Sequence, residues 1–309
     1  MFSFPQLFKI RLWQTKSSDR PKREGLMWSS YLPKPPQPIS ENDKFHQELG
    51  TALNRCRSFP YDLDVFARIE PEIKYLKHLT SQEKVGLDLG ANLGFYSALL
   101  APLCSRVIAF EANPQLIPYL MINTHRYGNV TVVPLAVARQ AGEAVFNIPF
   151  IEGEDPIGYM GMGGITSGDF LTKLGVLGAP IRVQTIPIDA LALTDVGFMK
   201  IDVEGSEHEV LEGARTTIER WRPAIIVENE FRHNPECTKV FEFLLSRGYE
   251  GYFVDRVTLE LTPFEKFSLE ANQKALLDEK SDITDNDRYI YNFIFVPREA
   301  NNLREICKA

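Results

Sequence analysis

The chain's 309 residues are 44% hydrophobic and 24% charged, a globular composition that excludes a disordered or fibrous protein. The formal net charge of −7 argues against a general nucleic-acid binder, since neutralising a phosphate backbone takes clustered Lys and Arg. No apolar run reaches about 18 residues, so no transmembrane segment is expected. Cys56, Cys104, Cys237 and Cys307 form no C-x-x-C, which points to reduced thiols in a cytoplasmic protein rather than a zinc site or redox dithiol.

Residues 1–80 read as an N-terminal extension with a linker and helices. Phe2, Phe4, Leu7, Phe8, Ile10 and Trp13 alternate with Lys9, Arg11 and Lys16. That pattern suits a tail, or a segment with weak peripheral membrane association. The stretch YLPKPPQP (31–38) is a linker by composition, and helical periodicity follows over 41–57 and 62–79.

From Val85 short apolar strands alternate with amphipathic helices. Val85–Gly90 is expected as a strand and Gly94–Ala101 as a helix stopped by Pro102. Arg106–Ala112 is the next strand. Asn113 and Pro114 read as the N-cap and first position of a helix whose buried stripe is Leu116, Ile117, Leu120 and Met121. Asn129–Val137 reads as one strand. Phe198–Val203 is another; Ser206 and Glu209 form a capping box for a helix continuing through Val210, Leu211, Ala214 and Ile218. Pro223–Glu228 is a strand, Asn234-Pro235 opens a helix closed by Gly248, and Tyr252–Asp255 and Tyr291–Val296 form a final antiparallel pair around an insert at 256–288. Such alternation predicts an α/β fold with a mostly parallel sheet. Residues 151–180 carry eight glycines and read either as a lid over a site or as a connector.

The stretch DLGANLG (Asp88–Gly94) follows the first strand, where open α/β sheets bind ligands. It fails the dinucleotide spacing G-x-G-x-x-G at two of three glycines, and it lacks the G-K-[ST] of a phosphate loop. Asp88 would repel a pyrophosphate and suits a cationic ligand. Glu111 ends the second strand, about 20 residues on, where a carboxylate accepts hydrogen bonds from ribose hydroxyls. Asp88, Gly90, Asn92, Gly94 and Glu111 together describe a site for a nucleoside without phosphate, and S-adenosylmethionine fits.

The segments GLDLGANLGFYSALLA, VIAFEANP and FMKIDVEGSEHEVLEGA followed by RPAIIVE resemble the FkbM family of S-adenosylmethionine-dependent methyltransferases over roughly residues 80–255. The resemblance implies a class I methyltransferase (Rossmann-like) fold over 81–309, with a seven-stranded sheet whose last strand is antiparallel. It implies O-methyl transfer to a hydroxyl of a small molecule or glycan, with Phe95, Ala112 and Ala136 (within 135–137) as further cofactor contacts. A non-catalytic cofactor-binding subunit is the rival, and a nicotinamide dehydrogenase is disfavoured by the glycine spacing.

Methyl transfer to a weakly nucleophilic hydroxyl needs alignment and a base, or a metal that acidifies the hydroxyl. Lys200, Asp202 and Glu204 share strand spacing, and a buried Lys200 would pair with Asp202 or Asp88. Asp202, Glu204 and His233 are the candidate catalytic residues. Asp202, Glu228 and Asn229 form a candidate magnesium (Mg2+) set. The alternative is that these groups only organise the loop and the cofactor's amino group.

Overall fold

A computed structural model describes residues 69–150, 163–165, 177–278 and 283–307. The linker, the 41–57 helix, most of the 62–79 helix and the membrane-docking segment lie outside them. After α1 (Leu76–Leu79) come β1 (Val85–Leu89), α2 (Phe95–Leu100), β2 (Arg106–Phe110), α3 (Ile117–Thr124), β3 (Val130–Val133), β4 (Ala136–Val137), β5 (Gly142–Phe150) and β6 (Leu177–Ile186). Then follow β7 (Val196–Ile201), α4 (Glu207–Gly213), α5 (Arg215–Trp221), β8 (Ala224–Glu228), α6 (Thr238–Ser246), β9 (Tyr249–Val254), β10 (Leu261–Pro263), α7 (Leu269–Asn272), β11 (Asn292–Pro297) and α8 (Leu303–Ile306).

The main sheet runs β3-β2-β1-β7-β8-β11-β9-β10. Neighbours from β3 to β8 pair in parallel, while β11 is antiparallel to both β8 and β9. This is the expected α/β arrangement, a mostly parallel sheet with its last strand reversed. It has eight strands rather than seven, because β10, inside the 256–288 insert, adds an antiparallel edge to β9.

Strand alternation builds two faces. Leu87, Leu89, Ile108 and Phe110 join a core with Val210, Leu211, Ala214 and Ile218, all at most 4% exposed. Ala109, between Ile108 and Phe110, instead packs with Leu120 and Ala91. At the antiparallel end, Phe241 of α6 lies 4.8 Å from both Phe264 and Phe293, ring pairs that add roughly 1 kcal/mol each beyond burial.

Several local readings are corrected. The 129–137 strand breaks at Pro134: β3 stays in the main sheet, and β4 joins a second sheet of order β4-β6-β5, in which β5 and β6 are antiparallel. Asn113 and Pro114 form a turn in which Asn113 Oδ1 accepts from Gln115 N at 3.0 Å, and α3 begins only at Ile117. Its buried residues include Leu120, Asn123 and Thr124, whereas Met121 is 55% exposed. The capping box does not form. The Ser206 side chain makes no cap bond, and Glu207 Oε1 reaches back to Gly205 N at 2.8 Å. The helix from Ser206 divides at Ala214 into α4 and α5. Among the described residues no helix is long and apolar enough to cross a membrane.

Candidate active site

The turn after β1 places three alternate residues in left-handed backbone: Gly90 (φ +86°), Asn92 (φ +52°) and Gly94 (φ +87°). Glycine occupies that region freely and Asn tolerates it better than most side chains. Both glycines are required by packing as well as by φ. A Cβ on Gly90 would sit 1.7 Å from the Asp202 carbonyl oxygen, and one on Gly94 would sit 2.6 Å from Leu120 Cδ1. The turn's N–H groups are also used internally. Gly90 and Ala91 donate to Phe110 O at 3.0 and 2.8 Å, Asn92 donates to Glu111 Oε2 at 2.7 Å, and Gly94 donates to Ala91 O.

A cleft partly open to solvent lies at these strand ends, taking in about 580 Å3 when the open solvent at its mouth is included. Gly90, Asn92, Glu111, Ala112 and Ala136 line it, together with Asp202 and Glu204. Its apolar wall is Phe110, Leu116, Leu135, Val137, Phe146 and Ile165. Phe146 and Ile165 had escaped the sequence reading. Phe146 was legible in the alternation of β5, where Phe146 and Ile148 are buried and Val145 is exposed. Ile165 belongs to 163–165, where Asn147 N donates to Gly164 O at 3.0 Å and Gly164 backs onto Glu204.

Glu111 is 6% exposed, and its two oxygens accept from Asn92 N and Asn113 N, each at 2.7 Å. Burial pushes its carboxyl up to about 7, against those hydrogen bonds. A carboxylate has about four acceptor sites, so lone pairs remain for a ligand diol.

Asp88, Gly94 and Phe95 do not line the cleft. Asp88 is 1% exposed because alternation turns it away from the Leu87 and Leu89 face, and Ser97 Oγ donates to it at 2.5 Å. Burial raises it to about 6, with Ser97 and Lys200 opposing. Asp88 therefore braces α2 through Ser97.

Lys200 is 1% exposed, with its Nζ 3.4 Å from Asp202 Oδ2, 3.2 Å from Asn292 Oδ1 and 5.0 Å from the Tyr96 ring centre. The expected pairing with Asp202 forms. Enclosure raises the Asp202 carboxyl and neighbouring Glu204 adds to this, while Lys200 opposes. Glu204 itself adopts φ +54°, an uncommon conformation for its type.

His233 stands behind Glu204 and not in the cleft wall. Its Nδ1 lies 3.0 Å from Glu204 Oε2 and 3.8 Å from Glu230 Oε1. Burial disfavours the imidazolium, but Glu230 and Glu204 outweigh it and the pKa is raised. Arg232 grips Glu230 through two bonds of 2.6 and 2.9 Å. Burial alone would raise Glu230; Arg232 and His233 hold it down at about 2. The raised pKa and the 3.0 Å contact make His233 the partner of Glu204.

Asp202, Glu204 and Glu228 bring carboxylate oxygens within 4.8 Å of one another. Asn229 does not join them. It follows Glu228 on an extended backbone, so it faces the other way, is 1% exposed, and donates from Nδ2 to Cys237 O at 2.9 Å. With Asn229 turned away, the expected set of Asp202, Glu228 and Asn229 is not brought together for magnesium.

The family model described as "Methyltransferase FkbM domain" matches residues 88–250, more than half of the chain. Over 99 residues the chain is 31% identical to ribosomal RNA small subunit methyltransferase A of Bacillus cereus (strain B4264), which is 32% of each sequence. The chain thus spans about a third of the length of the curated relatives it matches. Among solved structures, the FkbM methyltransferase of Methylobacillus flagellatus KT is similar at 16% identity and TM-score 0.43, covering 82% of this chain and 59% of that one. An rRNA methylase of Streptococcus thermophilus is similar at 11% identity and TM-score 0.40, covering 74% and 96%.

Proposed function

The chain belongs to the FkbM methyltransferase family, and from that premise we propose that it is an S-adenosylmethionine-dependent O-methyltransferase acting on a hydroxyl of a small molecule or glycan. The observation that carries the reading is one cleft lined by Glu111 together with Asp202 and Glu204. Glu111 holds the ribose diol, Ala112, Leu135, Ala136 and Val137 flank the base, and the apolar wall excludes water. When bound, the cofactor supplies an electrophilic methyl group on a cationic sulfur.

Asp202, with its proton affinity raised, accepts the proton of the acceptor hydroxyl. Glu204, tethered by His233, orients that hydroxyl. The same groups suit a hydroxyl better than a nucleic acid: carboxylates at the cleft and a net charge of −7 repel a phosphate backbone. The free thiols of Cys104, Cys237 and Cys307 agree with a cytoplasmic setting.

The test is transfer of a tritiated methyl group into a fractionated cell extract, by the wild type and by Asp202→Asn. The reading expects label in a glycan or small-molecule fraction and a loss of about 100-fold or more in Asp202→Asn, with cofactor affinity kept. Label in RNA would overturn the acceptor class. Equal labelling by the variant would remove Asp202 from the chemistry. Cofactor binding with no transfer to any fraction would favour a non-catalytic binding subunit.

A further inference from the structure

The 256–288 insert lies past residue 250, where the family match ends. Gln273, within it, is wholly buried. A buried primary amide brings two N–H donors and a carbonyl into the interior and is stable there only if they are met. Here Nε2 donates to Asn229 O at 2.9 Å and to Ile290 O at 2.7 Å, and Oε1 accepts from Phe231 N at 2.8 Å. One side chain therefore joins three segments: the insert, the loop after β8, and the approach to β11. Two further contacts reinforce the joint. Ile290 N donates to Asn272 O at 3.2 Å, and Lys274 Nζ sits 4.5 Å from the Phe231 ring centre.

The loop so held carries Glu230, Arg232 and His233, and His233 meets Glu204 at 3.0 Å. Asn234 Nδ2 also donates to Gly205 O at 3.1 Å, which ties the same loop to the turn bearing Glu204.

We propose that Gln273 is a positioning residue for the methyl-acceptor end of the cleft: its amide fixes the backbone of 229–231, and through it the His233–Glu204 pair. The inference rests on Glu204 being part of that site. No other side chain type does the same. Met or Leu would leave two carbonyls and an N–H without partners, and Glu would set a carboxylate against two carbonyl oxygens. The insert is thus a clamp on the candidate active site rather than a surface decoration.

The test uses full-length protein and Gln273→Met, with three readouts. The first is the exchange rate of the Phe231 amide. The second is the downfield Nδ1–H proton resonance of His233, assigned by its loss in His233→Gln. The third is calorimetric affinity for S-adenosylhomocysteine. The clamp predicts Phe231 exchange faster by about tenfold or more, loss or displacement of the His233 resonance, and affinity for S-adenosylhomocysteine unchanged within about twofold. Should Gln273→Met fail to fold, Gln273→Glu, which keeps the acceptor for Phe231, is read for the same His233 resonance and should displace it. A lower melting temperature with both signals as in the wild type would overturn the clamp. Failure of the wild type to bind S-adenosylhomocysteine would instead refute the cofactor reading, and it is measured separately from the loop signals.

Discussion

Cofactor affinity should fall as pH drops through neutrality, and Glu111 should be the cause. Its carboxyl is pushed up to about 7 by burial, because the backbone N–H groups of Asn113, Asn92 and Ala112 only partly offset the loss of water. A ribose diol donates two hydrogen bonds, which only the ionised form can accept together. The ionised fraction of a group with pKa about 7 is roughly 0.1 at pH 6 and 0.9 at pH 8. Affinity should therefore weaken about tenfold between them, or about 1.4 kcal/mol. The sign is fixed: a pKa raised by burial means the binding-competent form is lost as pH falls. The ligand's own amino group also titrates, near about 8, so the comparison must cancel it. Calorimetry with S-adenosylhomocysteine at pH 6 and pH 8 on the wild type and on Glu111→Gln does so. The wild type should lose about tenfold more affinity at pH 6 than the variant does. Identical pH dependence in the two would refute the assignment of Glu111 to the diol.

Three further outcomes follow from the packing and charge of the same region. Gly90→Ala forces a Cβ to 1.7 Å from the Asp202 carbonyl in backbone of φ +86°, and should cost about 3 kcal/mol or more in urea unfolding; less than about 1 kcal/mol would contradict the packing. Arg232→Met strands a buried Glu230 carboxylate and should destabilise by about 3–5 kcal/mol, whereas a neutral effect would show that the pair is not needed. Burial holds Asp88 at about 6, and Glu111 and Glu207 at about 7, so each opposes its charged form in the folded state. That stability is complete below the unfolded values of 3.8 and 4.5 and is lost as pH rises through 6 to 7. Glu230, at about 2, acts oppositely but only below about pH 4.5. The melting temperature should therefore decline from pH 5 to pH 8, and a rise over that range would be inconsistent with these burials.

The β1–α2–β2 unit and the reversed final strand were legible because their signals are local: apolar runs, Gly at left-handed turns and a carboxylate at a strand end. The cleft contacts of Gly90, Asn92, Glu111, Ala112 and Ala136 follow from that order. Asp88 is buried toward Ser97 because strand alternation sets it opposite the Leu87 and Leu89 face. The sequence reading has the glycines leave room for a ligand, and their close neighbours, Asp202 O and Leu120, come from 112 and 26 residues further along the chain, where no local pattern names them. The raised pKa of His233 depends on Glu204 and Glu230 meeting it in space, which no local pattern gives. Met121 fits helical periodicity yet is exposed, since α3 starts three residues later than the Asn113-Pro114 signal suggests. The second sheet was missed because the short β4 reads as a continuation of β3.

The central claim is that the cleft between Glu111 and Asp202 holds a phosphate-free nucleoside. A crystal structure of the protein grown with S-adenosylhomocysteine tests it directly. The expected result is the ribose diol on the Glu111 carboxylate, with the adenine beside Ala136 and the sulfur end toward Asp202. A ligand bound elsewhere, or a ribose that leaves Glu111 untouched, would contradict it.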